Sequence, residues 1–522
     1  MMVDKNSTSE AQKKQTPVAK LVGWFDNRLG LSHEMLRPAP QFSINPFYWL
    51  GALAVVAFII QGISGTMMML YYVPTPALAY SSTKYIFQSV SYGQFLQTVH
   101  LYTAYAMIML AFMHMMRGYF VSVHKKPREL MWVVGMGMGF VTLGFGFTGY
   151  LLPWTVVSKS ATNVGIGMMS ALPPQISSIL NFLISGTGAD AAVILRFYDL
   201  HVVVLPAVLL LLLVLKMYML ETHGVADPSR GVDSVPEKRR GLVPIFPDVS
   251  FYLLELAALF GSAMMLISVA FPIDLPPEYT PILASQFVSQ PDWYFLWIYQ
   301  VLKIAVFEGP GLTVALGVVS VVFIALIVLP FIDRGEPRSF LTRKRFVTLG
   351  IIFSAEVIVL TIWGLLTPGK IIPNEQAILV LGGTALLVAL VSAATYRLLF
   401  RRLSGVGSLR TGGPSVPARA EGSGARPQDP VASLRSASLW TAGTFAVLLG
   451  ISVYFIGGTF AAMAKMLAQG PSGSALFSLG TSVAGLSLAV LASAYLLYRL
   501  DLGSGMIKRR VRAFEIGWRG QE

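Results

Sequence analysis

The chain contains no cysteine. That absence excludes disulfides, thiolate metal sites, iron–sulfur ligation and thioether-linked haem within it. Charge is also scarce: 12% of the 522 residues are Asp, Glu, Lys or Arg, whereas 54% are hydrophobic. A soluble domain of that composition would expose more apolar surface than water tolerates. The first 45 residues lack an apolar run, so no cleavable signal peptide is expected there.

What the chain has in abundance is apolar runs of the length that crosses a hydrocarbon core of about 30 Å as helix. They fall at roughly 46–72, 95–120, 130–152, 197–220, 250–272, 312–332, 346–366, 376–400, 437–463 and 474–498. The expected fold is therefore an all-α membrane protein of about ten transmembrane helices, since lipid leaves the backbone no partner but itself. The formal charge of +13 reads as a membrane pattern rather than a nucleic-acid surface. Basic residues gather in alternate loops, at Lys125, Lys126 and Arg128, at Lys238 to Arg240, at Arg338 and Arg343 to Arg345, at Arg401 and Arg402, and at Lys508 to Arg510. The opposite loops hold isolated Lys84, Lys159, Lys303 and Lys370. This distribution places both termini on the cytoplasmic side.

The organisation follows: a cytoplasmic segment at 1–45, a four-helix domain at 46–235, a second helical domain at 242–370, one additional span at 371–403, a Gly/Ser/Pro-rich linker at 404–436, and two extra spans with a basic tail at 437–522. Two long outer loops, 153–196 and 273–311, have the Pro and aromatic content of segments that pack on the membrane surface. No internal repeat is visible.

Six histidines, His33, His100, His114, His124, His201 and His223, carry most of the capacity for metal chemistry. His100 and His114 lie fourteen residues apart on the second span, which returns them to nearly one face, roughly 21 Å apart along the axis. Gly51 and Gly65 on the first span, and Gly135 and Gly149 on the third, repeat the interval. Glycine lets a flat ring approach the backbone, so three helices with one spacing suggest two flat objects at two depths. The fourth span adds His201 and, fifteen residues on, Lys216 amid apolar side chains; Pro206 between them can shift the register by a residue. The pairs expected across helices are His100 with His201 and His114 with Lys216. His124, in a basic loop, is expected to be solvated, the methionines from Met107 to Met116 to pack, and Lys508 to Arg512 to anchor headgroups.

These residues, followed by KKPREL at 125–130, GYLLPW at 149–154, RFYDLH at 196–201 and PDWYF at 291–295, resemble the cytochrome b family of quinol-oxidising cytochrome bc complexes over about residues 20–370. The order looks nearest the photosynthetic split type, here with both halves fused. The resemblance implies a four-helix core holding two b-type haems, the inner one less secure, on His100, His201, His114 and Lys216; Arg117 and Arg196 are expected either to contact haem propionates or to snorkel to headgroups. It implies an outer quinol site with Asp292 as base, Tyr294 beside it, and Tyr150, Pro291 and Trp293 lining the quinone. It further implies electron transfer to a Rieske iron–sulfur protein, necessarily a separate chain, and through the haems to an inner quinone. A further electron-accepting cytochrome, a homodimeric complex and a prokaryotic plasma membrane complete what is implied. Four positions depart from the family: lysine replaces histidine at Lys216, Trp49 replaces a haem-bearing cysteine, Gln97 replaces an arginine, and Asp292 replaces glutamate.

Other readings account for some of the same residues. Asp292 and Tyr294 alone are also explained by turn capping and interfacial anchoring. The inner iron could be held by His114 only or by His223, or the inner haem could be absent. A cofactor-free permease would place Lys216 at a transport site, and a haem-binding anchor of a dehydrogenase would lack the quinol loop.

Overall fold

A computed structural model describes residues 38–40, 43–185, 190–223, 242–309, 311–335 and 343–408. Eight helices among them are long and apolar enough to cross a membrane: α1 Leu50–Met69, α2 Gly93–Phe120, α3 Glu129–Leu151, α4 Ala192–His223, α5 Ser250–Ala270, α6 Gly311–Ile332, α7 Lys344–Leu366 and α8 Asn374–Arg397. They match the first eight expected spans to within a few residues. The spans expected at 437–463 and 474–498, His33 and the basic run at Lys508 lie outside the described residues. The helical backbone after α8 continues to Ser408, five residues into the stretch read as linker.

α1 packs along α2, and α3 along α4, with α2 and α3 in contact between the pairs. Small residues face the seams: Ala57 is wholly buried with Met107 of α2 and Leu209 of α4. α5 closes against α1 and α2, and α6 against α3. The large apolar side chains left exposed, such as Ile59, Leu211, Val214 and Val321, lie within the spans, where lipid rather than water is the neighbour.

Helix α4 is not regular. Residues Leu200–Val204 form a π-helical turn, directly before Pro206. A π turn takes one extra residue, and Pro206 has no N–H to give to the preceding turn. The extra residue accounts for an interval of fifteen from His201 to Lys216 where the other helices use fourteen.

The two long loops fold into short helices, Val156–Ser170, Pro174–Leu180 and Pro281–Gln286, and a loop helix Trp293–Leu302 that lies against α7. They meet each other: Val156 N–H donates to Pro277 O at 2.9 Å and Tyr279 N–H to Trp154 O at 3.2 Å. On the opposite, basic face the chain is not purely helical. Pro38–Pro40 and Leu242–Pro244 pair as a short antiparallel ribbon.

That basic face corrects the reading of His124. It is 0% exposed, and its Nε2 lies 3.0 Å from Asp333 Oδ2. Lys125 reaches Asp333 Oδ1 at 2.9 Å, and Arg343 bonds the same carboxylate as well as Ser122 Oγ at 2.5 Å. The loop between α2 and α3 is thereby clasped to the turn between α6 and α7. Burial pushes His124 down to about 4 despite its bond to Asp333, so the ring is neutral near pH 7. The loop is basic, but it is packed under Tyr119 and Trp132 rather than solvated.

Candidate haem pockets and quinol-side site

His100 on α2 and His201 in the π turn of α4 face each other with ring centroids 6.2 Å apart. Their orientation is set by neighbouring helices. His100 Nδ1 lies 2.9 Å from Ser64 Oγ of α1, and His201 Nδ1 lies 3.1 Å from Thr148 Oγ1 of α3. Each hydroxyl already donates its one hydrogen along its own helix, Ser64 to Ile60 O at 2.7 Å and Thr148 to Gly144 O at 2.8 Å. Each can therefore only accept from the imidazole. Both Nδ1 atoms carry the proton, and both Nε2 atoms keep the lone pair that a metal requires. Two metal–imidazole bonds of about 2 Å each and two half-rings account for the centroid separation, so the spacing fits a haem iron that the two rings would hold between them.

The four glycines each sit under one of the four candidate ligands. A Cβ on Gly65 would come 3.3 Å from His100 Cε1, on Gly149 2.5 Å from His201 Cε1, on Gly51 2.9 Å from His114 Cε1, and on Gly135 3.1 Å from Lys216 Nζ. The second level thus has His114 against α1 and Lys216 against α3. His114 Nδ1 is buried with no hydrogen-bond partner among the described residues, unlike the tied rings of the first level. His223 is exposed and its Nδ1 bonds Met219 O of its own helix at 3.0 Å, so it does not enter this level. Arg117 stacks over the Tyr48 ring at 4.5 Å and Arg196 over Phe182 at 5.7 Å.

At the other side of α2, Asp292 stands at the N-terminus of the loop helix without capping it. Its carboxylate turns instead to Tyr105 of α2, whose hydroxyl lies 2.9 Å from both Oδ1 and Oδ2. Tyr105 also meets the rings of Trp293 at 6.2 Å and Tyr294 at 6.3 Å. The buried Tyr294 reaches α3, where its hydroxyl would be 2.9 Å from a Cβ on Gly146. Tyr150 of α3 lies on the same side as the Asp292 carboxylate, as a neutral phenol. Burial pushes the Asp292 carboxyl up, while the bonds from Tyr105 and from the Trp293 N–H hold it back. Pro291 and Trp293 are half-buried beside it.

Sequence reasoning missed Ser64, Thr148, Gly146 and Tyr105. A hydroxyl next to each of Gly65 and Gly149 was the available signal for the first two. Nothing local marks Tyr105, whose partner is 187 residues away.

Two family models match in order: Cytochrome b(N-terminal)/b6/petB over residues 105–279 and Cytochrome b(C-terminal)/b6/petD over 285–381. A cytochrome bc complex cytochrome b subunit of Chlorobaculum thiosulfatiphilum is 31% identical over 60% of this chain and 74% of its own length. A cytochrome b of Sulfolobus acidocaldarius is 31% identical over 70% and 69%. Cytochrome b6 of Heliobacterium mobile, 38% identical, aligns along 100% of its length to 40% of this chain. A solved chain described as hyperthermophilic respiratory Complex III superposes with a TM-score of 0.57 at 25% identity, covering 72% of this chain and 96% of that one. Permease and dehydrogenase-anchor readings are set aside by these matches. With both halves of the family in sequence on one polypeptide, the chain belongs to the cytochrome b family, as the integral membrane, electron-transferring cytochrome b of a bc-type complex.

Proposed function

We propose that this cytochrome b oxidises quinol on the side of Asp292 and passes electrons through two b-type haems to a quinone on the basic face, with proton translocation. The observation that carries the proposal is the His100–His201 pair, 6.2 Å apart, with each Nδ1 beside a hydroxyl that is already donating along its own helix. Bound haem would supply one-electron carriage; the protein's residues orient the rings, exclude water and manage the protons. His114 and Lys216 would hold the second haem. An ammonium has no lone pair, so ligation by Lys216 requires its free amine. Gly51, Gly65, Gly135 and Gly149 would give the two haems room against the backbone, and Arg117 and Arg196 would pair with the negative charge that haem propionates bring.

Asp292 accepts the quinol proton, and Tyr294, Tyr150, Pro291 and Trp293 line the quinol. Quinol oxidised there also reduces a Rieske iron–sulfur protein in a separate chain, which a cysteine-free subunit requires, and a further cytochrome accepts from that protein. The complex is a homodimer in a prokaryotic plasma membrane. The distribution of Lys and Arg between loops supports cytoplasmic termini. The domain division at 46–235, 242–370, 371–403, 404–436 and 437–522 belongs to the same reading. The test is quinol-dependent reduction of the b-type absorbance in His100→Ala and His201→Ala. Each should lose one b-type signal and quinol-driven reduction; retention of both signals with normal turnover overturns the proposal.

A further inference from the structure

We infer that Tyr105 is the positioning residue of the quinol-side base: its phenol clamps both oxygens of the Asp292 carboxylate and keeps that carboxylate ionised and turned toward α2. The inference rests on the reading of Asp292 as the proton acceptor, and it adds a residue on a helix otherwise assigned to haem ligation.

The geometry supports the clamp in three ways. Tyr105 Oη is 2.9 Å from each carboxylate oxygen, so one hydroxyl hydrogen is shared by both and fixes the plane of the group. The Tyr105 ring is itself held edge-on by Trp293, at 6.2 Å and 80°, and against Tyr294 at 6.3 Å. The phenol therefore cannot swing off without unpacking the loop helix. Third, the groups that face Asp292 are phenols: Tyr105 from α2, Tyr150 from α3 and Tyr294 from its own helix, with the Trp293 N–H. No cation pairs with it among the described residues.

A half-buried carboxylate without a cation keeps its charge only through hydrogen bonds. An acceptor of quinol protons must be ionised before the transfer: the quinol O–H breaks, the carboxylic O–H forms, and the proton resides on Asp292 until released. The phenol stabilises the carboxylate more than the acid, because a bond to a charged acceptor is the stronger one. Without it the acid form gains, and the base is already occupied at pH values where it should be free. Tyr105 thus sets the pH below which oxidation stops. It lies five residues beyond His100 on the same helix, about 7.5 Å along the axis, so the clamp also holds the acceptor beside the helix that carries the first haem histidine.

The test compares the assembled complex carrying Tyr105→Phe, Asp292→Asn and both, in quinol-oxidation rates from about pH 5 to 9. Phenylalanine keeps the ring packing and removes only the hydroxyl. Tyr105→Phe should move the acid limb of the profile up by about 1–2 pH units, the scale of one charge-assisted hydrogen bond, with the rate recovering at alkaline pH. In the Asp292→Asn background the same change should add nothing. A Tyr105→Phe profile that coincides with wild type, while Asp292→Asn abolishes the limb, means Tyr105 only packs and overturns the inference. An Asp292→Asn complex with unchanged turnover and limb refutes the base reading itself. If Tyr105→Phe does not assemble, 3-fluorotyrosine at position 105, a stronger donor, should shift the limb to lower pH; no shift refutes the clamp.

Discussion

Adding one methyl group to the haem pockets should grade their damage by distance. In Gly149→Ala the new Cβ would stand 2.5 Å from His201 Cε1, against an ordinary carbon–carbon contact of about 3.5–4.0 Å. The imidazole must then retreat by about 1 Å. The Thr148 Oγ1 to His201 Nδ1 contact is already 3.1 Å, so a retreat of that size breaks it and frees the ring to turn its Nε2 off axis. Overpacking a tight core costs about 1–3 kcal/mol, and lost ring orientation costs about 10–100-fold in metal affinity. In Gly65→Ala the corresponding approach to His100 is 3.3 Å, which a shift of a few tenths of an ångström relieves. Gly149→Ala should therefore lose most of one b-type signal, and Gly65→Ala should retain it. Gly51→Ala, at 2.9 Å from His114, should be intermediate. The assay is haem per purified chain with the low-spin absorbance. Equal haem content in Gly149→Ala and Gly65→Ala, or retention in both, would refute the reasoning.

Lys216→Ala should leave the second haem high-spin or lost, whereas Lys216→His and Lys216→Met should keep it with an altered potential; spectra of Lys216→Ala identical to wild type would rule out ligation. Asp292→Asn should slow quinol oxidation by about 10²-fold or more, measured as steady-state turnover, and an unchanged rate would count against a base at that position. Asp333→Asn should destabilise the chain by about 3–5 kcal/mol, since Lys125 and Arg343 would be left buried without their carboxylate; a melting temperature equal to wild type would contradict the clasp. The clasp is also acid-sensitive. His124 is held at about 4 by burial, below its ordinary value near 6.5, so the unfolded chain binds its proton first. Stability is full above about pH 6.5 and falls as pH drops from there toward 4, which a thermal melt against pH would follow, and a flat profile would refute.

The eight described spans were legible because lipid forces an apolar run of fixed length to be helical, and both length and apolarity are written in the residues. The shared interval was legible: fourteen residues repeat on three helices, and each of the four glycines lies against one of His100, His114, His201 and Lys216. The fifteen-residue interval of α4 pointed to an adjustment near Pro206, but not to a π turn at Leu200–Val204, which depends on how α4 packs. His124 was misread because a loop with Lys125 and Lys126 suggests solvent, whereas its carboxylate partner is 209 residues away. Tyr105 was invisible for the same reason. Local pattern fixes which side chains share a helix face; it does not say which loop returns to that face.

The central claim is that quinol reduces two haems held in this chain, and it is tested most directly by titrating the anaerobically purified protein with a quinol while recording its absorbance and haem content. The account predicts two b-type haems per chain and a reduced b-type band that grows on addition of quinol. One haem per chain, or a full complement that quinol fails to reduce in the assembled complex, would contradict it.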